Sequence, residues 1–394
     1  MGIGMPKNIA IFSDGTGQAG GIPRSIPSNV YRMFSACPVI AGVQATFYEH
    51  GVGAPVAAAR PGRRRQLRNA LSRMTGLGIN ENIADCYDAL IRLYEPGDRI
   101  FLFGFSRGGY AVRSVGGVLG ICGIPRYSPH GLDLRKDHRA RRRAVLRAVR
   151  GVYQSYGSGA AGQKQRQARA ATFRKQHASH EDGVVPYFIG VWDTVRAIGL
   201  PGVSSLIFWR HKFHDSALNP GVPYGRHALS IDENRAMFFP ELWDEAESDR
   251  ISGRIKQVWF PGVHSDVGGG YAERELADLT LNWMIDEATA IPNPLIVDRS
   301  KLDLKPSHRG IQHDERRGLG RLWRKGTRET FQSRAHTFED NVQKRLDEQA
   351  VPTLDGERAY RPPLLARLPQ FVRYYEALDA RRRGLLKKLN PLEY

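Results

Sequence analysis

Cysteine is scarce. Cys37, Cys86 and Cys122 are the only three thiols in 394 residues, far apart, with no Cys-x-x-Cys pair and an odd total. This excludes a disulfide scaffold and points to free thiols in a reducing compartment. Long apolar runs are also missing: no segment reaches the roughly 20 apolar residues of a membrane-spanning helix. The opening "MGIGMPKNIAIFSDG" holds only the strand-length "IAIF" after one lysine, so neither a secretory signal nor a membrane anchor is expected there. Pro6 occupies the position where a myristoylation pattern needs Ser or Thr. The chain is therefore expected to be soluble and cytoplasmic as made. No internal repeat with a period of about 20–50 residues is present. Neither the Lys-Ser/Thr of a P-loop nor a G-x-G-x-x-G follows the Gly-rich "SDGTG", and no His/Cys/Asp/Glu cluster stands at ligand spacing. No cofactor and no metal are expected, an adventitious cation near Asp14 or Asp266 aside.

Acidic residues are in deficit. Forty Asp and Glu face 58 Lys and Arg, a net charge of +18, an excess that attracts anionic partners. The arginines gather in "RPGRRRQLR" (60–68), "LRKDHRARRRAVLRAVR" (134–150) and "DARRRGLLKK" (379–388). Either these are solvated faces or they form an electrostatic docking surface. Aromatic residues are not interleaved with them as a single-strand groove requires, so nucleic acid is not the expected partner.

What is abundant is strand and helix in alternation. "NIAIF", "ATFYE", "RIFLFGF", "VVPYFIGVWD" and "RIKQVWF" read as buried strands. Between them, "GINENIADCYDALIRLY" sets Ile83, Cys86, Tyr87, Leu90, Ile91 and Tyr94 on one helical face, and "RGGYAVRSVGGVLGICG" reads as a small-residue helix. Strands that are apolar throughout argue for an α/β fold, a mostly parallel sheet covered by helices on both faces. Residues 1–290 form the expected domain, with a basic helical insertion or cap at 126–182. Residues 291–394, loop-rich and punctuated by proline, form an extension packed on the same domain.

The chemistry concentrates at strand ends. Gly104-Phe105-Ser106-Arg107-Gly108 fits G-x-S-x-G between a strand and a helix, the setting of a serine nucleophile on a sharp turn. The alternative is a turn serine without chemistry. A base and an orienting acid are sought downstream in the order Ser, Asp or Glu, His. Asp193 in "GVWDTV" and His264 in "FPGVHSDVGGG" each follow an apolar run, and parallel strands bring such ends to one edge. Asp266 competes as the acid. His50 also ends a strand but precedes the serine, and His211 and His214 read as loop residues. The oxyanion donors expected are the N–H of Arg107 and that of Gly15 or Thr16 in "SDGTG".

Taken in order, "SDGTG", "NVYRM", "YEHGVG", "GINENIADCYDAL", "YEPGDRIFLFGFSRGGYAVR", "FIGVWDTVRAIG", "HALSIDENRAMFFPELW", "WFPGVHSDVGGGY" and "YRPPLL" resemble the uncharacterised α/β-hydrolase family known as domain of unknown function 2235. That family includes the first class of Tle phospholipase effectors of bacterial type VI secretion. The resemblance places the family nucleophile on Ser106, its acid on Asp193 and its histidine on His264. It implies an acyl-ester hydrolase, in first place a phospholipase on membrane glycerophospholipids. The partners it implies are a phospholipid surface and a secretion-system or immunity protein, with export by type VI secretion open. Gly109 stands where the family often has Ala, and no additional anchoring or adaptor-binding region is recognisable.

Two segments suit a lipid substrate. "GLPGVSSLIFWRHKF" (199–213) sets Leu206, Ile207, Phe208 and Trp209 just after the acid, as a lid or chain-binding loop would, or as a packed crossover. "FVRYYEALDARRRGLLKKL" (371–389) has the make-up of a surface-lying membrane helix, or of one docked on its own domain. The rival activities are a soluble carboxylesterase or thioesterase and, of another class, a non-catalytic basic binding module.

Overall fold

A computed structural model describes residues 5–51 apart from 16, 19 and 22–24, then 78–155, 159–180, 184–195, 217–328 and 337–382. The basic run 60–68, the 199–213 segment, His211, His214 and Thr16 lie outside the described residues.

The first half runs β1 (Asn8–Ser13), α1 (Asn29–Ala36), β2 (Gln44–Glu49), α2 (Ile79–Leu93), β3 (Arg99–Phe105) and α3 (Arg107–Cys122). Then come α4 (His138–Leu146), a π-helical stretch (Arg147–Tyr153), α5 (Gly159–His177) and β4 (Phe188–Trp192). The second half holds β5 (Tyr224–Ser230), α6 (Glu247–Ser252), β6 (Ile255–Phe260), α7 (His264–Gly268) and α8 (Glu275–Thr289). It ends in β7 (Thr337–Phe338), α9 (Asp340–Asp347), the hairpin β8 (Val351–Thr353) and β9 (Gly356–Arg358), and α10 (Pro369–Arg382).

Seven strands make one sheet in the order β2-β1-β3-β4-β5-β6-β7, with every pairing parallel. The architecture is α/β and α/β-hydrolase-like. Because β1 lies between β2 and β3, the strand order reverses there, and in open α/β sheets such a switch point is where ligands bind, at the carboxyl ends of the strands.

Strand periodicity sorts the side chains into two cores. Ile9 and Ile11, Ile100 and Leu102, Ile189 and Val191 face α2 and α3. The alternate residues, Phe12, Phe101, Phe103, Phe188 and Trp192 among them, face α1 and α8. One face is aliphatic beneath α3, whose glycines permit close approach; the other is aromatic, with Phe12 stacked on Phe103 at 5.0 Å.

β5 and β7 were not expected as strands. β5, "YGRHALS", lacks an apolar run because Arg226 and His227 are buried with partners: Arg226 pairs with Glu287 at 2.5 Å, and His227 accepts the Thr194 N–H at 3.2 Å. β7 is only two residues long.

Within the 126–182 stretch, Leu134, Val145, Val149 and Phe173 join the core of α2 and α3. Part of its basic charge is taken up locally. Arg141 pairs with Asp88 at 2.8 Å, Arg142 with Glu81 and Asp85 at 2.6 Å each, and Arg150 with Glu81 at 2.7 Å. At the other edge, Leu229, Ile231 and Trp259 pack against Leu346, Leu364 and Leu365, which ties residues 342–374 to β5 and β6. Among the described residues, no helix is long and apolar enough to cross a membrane.

A buried ion pair fastens the aromatic layer. Arg32 of α1 bonds Asp278 of α8, and the other Asp278 oxygen accepts the Lys305 N–H at 2.7 Å. Asp278 is fully buried, so Arg32→Met strands a charge. The expected loss is about 3–5 kcal/mol of stability, read from the urea midpoint; an unchanged midpoint contradicts this role.

Candidate active site

β3 ends in the turn that carries Ser106. Its φ of 55° and ψ of −121° place a non-glycine residue in a costly backbone region, worth about 1–3 kcal/mol of strain. Two features hold it there. The Ser106 N–H donates to Trp192 O at 3.0 Å, across to the end of β4. Gly104 and Gly108 let the turn close: a Cβ on Gly108 would lie 2.1 Å from Ser13 O, and one on Gly104 would lie 2.5 Å from Gly108 O. The serine hydroxyl is thereby presented at the sheet edge, and Arg107 begins α3 directly behind it.

Asp193 follows β4 and also takes a positive φ, 37°; its N–H donates to Ala228 O at 2.8 Å. His264 opens α7 after β6. The three side chains form one line. Asp193 Oδ2 accepts from His264 Nδ1 at 2.5 Å, and His264 Nε2 meets Ser106 Oγ at 2.8 Å. An ionised carboxylate can only accept, so Nδ1 carries the imidazole proton and Nε2 is left to accept from the serine hydroxyl. All three residues are buried, with Ser106 7 % and His264 5 % exposed. The imidazole is clamped between the Phe105 ring, 4.6 Å away, and the edge-on Phe238 ring at 5.3 Å.

Asp193 is fully buried, which raises its pKa. The Arg328 charge, the His264 bond and the Ser230 N–H together outweigh that burial and hold it well below the usual carboxylate range. Ser230 N–H donates to Asp193 Oδ1 at 3.0 Å, and Arg328 Nη2 to Oδ2 at 2.6 Å.

The carboxyl end of β5 fixes the histidine loop. Ser230 Oγ donates to Gly262 O at 2.8 Å, and Asp232 accepts the Gly262 N–H at 2.7 Å and the Tyr360 hydroxyl at 2.8 Å. Glu233 accepts the His264 N–H at 3.2 Å, and Arg235 holds Glu233 in turn through Nε at 2.7 Å. Burial raises the Glu233 pKa, but the Arg235 bond and charge reverse this and leave it lowered. Sequence reasoning missed Glu233 and Arg328 as site residues. "SIDEN" carried only a family resemblance, and a charged side chain gives no sequence signal of burial.

The remaining candidates are elsewhere engaged. Asp266 does not reach the His264 ring: it accepts the Val263 N–H at 3.0 Å and pairs with His313 Nδ1 at 2.6 Å, bracing the loop. Asp14 is surrounded by donors, Ser28 Oγ at 2.7 Å, Tyr48 at 2.6 Å and the Gly15 N–H at 2.7 Å. The Gly15 N–H, one of the two oxyanion donors expected in this loop, donates to Asp14 in this structure. Gly15 passes close to Ser106, since a Cβ there would lie 3.5 Å from Ser106 Cβ. His50 is exposed, its ring edge-on to Tyr48 at 5.0 Å. Among the described residues, no group of three or more His, Cys, Asp or Glu side chains could hold a metal ion.

Gly109 also has a steric reason. A Cβ there would lie 2.3 Å from Thr194 Oγ1, beside Asp193, and that hydroxyl is buried without a hydrogen-bond partner among the described residues. Gly109→Ala should therefore cost about 1–3 kcal/mol, and Thr194→Ala should relieve most of it. A double-mutant cycle in denaturant checks this; additive losses contradict it. Asp14 yields a pH signature. Burial pushes its carboxyl up to about 6 against the bonds from Tyr48, Ser28 and Gly15. A raised carboxyl contributes stability that is full below its unfolded value and lost as pH rises through the folded one. Asp14→Asn should therefore gain about 2–3 kcal/mol relative to wild type between about pH 4 and about pH 7. Denaturant midpoints at the two pH values read it.

Comparison with known proteins adds a family. Residues 7–287 match the family described as type VI secretion system phospholipase effector Tle1-like, catalytic domain. The uncharacterized protein YEL023C of Saccharomyces cerevisiae is 26 % identical over 240 residues, 59 % of this chain and 32 % of its own length. Two solved structures are similar at low identity. An uncharacterized protein from Pseudomonas aeruginosa is 18 % identical, with a TM-score of 0.40, over 75 % of this chain and 47 % of its own. The Tle1 effector bound to the VgrG spike from the type 6 secretion system is 17 % identical, with a TM-score of 0.36, over 68 % of this chain and 52 % of its own. The chain thus spans about a third of the yeast protein and about half of each solved chain. By the match across residues 7–287, the chain belongs to the Tle1-like catalytic-domain family of type VI secretion phospholipase effectors.

Proposed function

We propose that this protein is a serine-dependent phospholipase that cleaves acyl esters of membrane glycerophospholipids. The observation that carries the reading is the hydrogen-bonded line from Ser106 Oγ through His264 to Asp193, with the serine on a strained strand-to-helix turn. In the proposed reaction Ser106 Oγ attacks the ester carbonyl while His264 Nε2 takes its proton, and Asp193 stabilises the imidazolium. The oxyanion is held by the Arg107 N–H at the start of α3. His264 then returns the proton to the departing lysophospholipid alcohol. Water, deprotonated by the same imidazole, releases the fatty acid from Ser106.

Family membership supports lipid as substrate and type VI secretion as the route of export, with a spike component or an immunity protein as partner. The net charge of +18 supports an anionic membrane surface as the docking site. The chain is read as one hydrolase domain over 1–290, with 126–182 inserted and 291–394 packed on it. The cores shared by these segments support that division.

The test is fatty-acid release from mixed phosphatidylethanolamine and phosphatidylglycerol vesicles, beside a soluble short-chain ester. Wild type should release fatty acid from the vesicles, and Ser106→Ala should lower the rate by at least about a thousandfold. Cleavage of the soluble ester alone contradicts the lipid assignment.

A further inference from the structure

Arg328 lies 41 residues beyond the stretch matched to the catalytic-domain family, which ends at residue 287, yet its guanidinium sits inside the site. Arg328 is 3 % exposed, and its Nη2 donates at 2.6 Å to Asp193 Oδ2, the same oxygen that takes His264 Nδ1–H at 2.5 Å. Its Nε and Nη1 are buried with no acceptor among the described residues. Arg345, by contrast, bonds two backbone carbonyls, His308 O and Gly310 O. Arg328 instead spends its bond on the acid that holds the imidazole.

The charges around His264 are balanced. Asp193 faces Nδ1, and Glu233 accepts the His264 N–H. Arg328 answers Asp193, and Arg235 answers Glu233 and, at 3.4 Å, Glu315. The rest of the enclosure is the Ser106 hydroxyl and the Phe105 and Phe238 rings. His227, on the neighbouring strand, is kept neutral by burial and by the Arg113 charge, with its pKa pushed down to about 3. An unanswered carboxylate stabilises the imidazolium and raises the pKa of the base; a guanidinium on that carboxylate cancels much of the effect.

We propose that Arg328 is a positioning residue for the hydrolytic reaction: by bonding the same Asp193 oxygen that accepts His264 Nδ1–H, it offsets the charge of the acid where it faces the imidazole. The proposal rests on the serine-hydrolase reading above. It makes the segment after residue 287 part of the active site's electrostatics, so that the family-matched domain alone carries an incomplete acid.

The test is the second-order rate of reaction with a soluble fluorophosphonate as a function of pH, for wild type, Arg328→Gln, Arg328→Met and Arg328→Lys, with circular dichroism to establish folding. Both neutral variants should move the midpoint of the acid limb upward by about one pH unit or more, while Arg328→Lys should bring it back toward wild type. A folded neutral variant with an unmoved midpoint, whatever its plateau rate, overturns the proposal. Should neither neutral variant fold, Glu233→Gln carries the test: removing a facing negative charge must move the midpoint down, and an unmoved midpoint overturns the charge balance. A wild-type protein that takes up no phosphonate at any pH overturns the serine-hydrolase reading, and this inference with it.

Discussion

The turn at Ser106 is the constraint on which the rest of the site depends. A serine with positive φ is retained only where its neighbours leave no alternative, and here three separate elements enforce it. β4 supplies the Trp192 carbonyl to the Ser106 N–H. β1 passes so close that Gly108 has no room for a side chain. The small first turn of α3 lets Thr194, next to Asp193, settle against Gly109. The parallel order of the sheet is what brings β1, β3 and β4 side by side at this point. Ser106, Gly15 and Asp193 therefore converge from segments remote in sequence.

A second group of interactions does for the histidine what the turn does for the serine. The end of β5 carries Ser230, Asp232 and Glu233, which together bond the backbone of Gly262 and His264. Ser230 also donates to Asp193, so one strand end sets both the Asp193 carboxylate and the His264 loop. Asp232 in turn receives the Tyr360 hydroxyl, which links the C-terminal third of the chain to the same loop. Rigidity of this kind keeps a serine and an imidazole within bonding distance before any substrate arrives.

Much of the architecture was legible because buried parallel strands are apolar throughout, and five of them announce themselves as short hydrophobic runs. β5 did not, because its buried polar residues are satisfied by partners that only the fold supplies, Glu287 for Arg226 and the Thr194 N–H for His227. The order Ser106, Asp193, His264 could be read from strand ends and from the family resemblance. Asp193 was preferred there over Asp266, which stands two residues from His264 in sequence; what the sequence did not show is that the Asp266 carboxylate turns to His313. The local bond from the Gly15 N–H to Asp14 was not legible, because chain position and glycine content do not say where an N–H points. Arg328 left no trace in the pattern, since a buried ion pair between residues 135 positions apart is a property of packing.

Part of the positive charge is also structural, because Arg141, Arg142 and Arg150 are matched by acidic residues of α2. The net charge of +18 already counts these pairs, so the excess resides in the other basic residues. The central claim remains the activated serine, and peptide mapping after treatment with a fluorophosphonate tests it most directly. The account predicts one adduct, on the peptide containing Ser106, lost in His264→Gln. An adduct on another residue, or a Ser106 adduct that forms equally fast without His264, would contradict it.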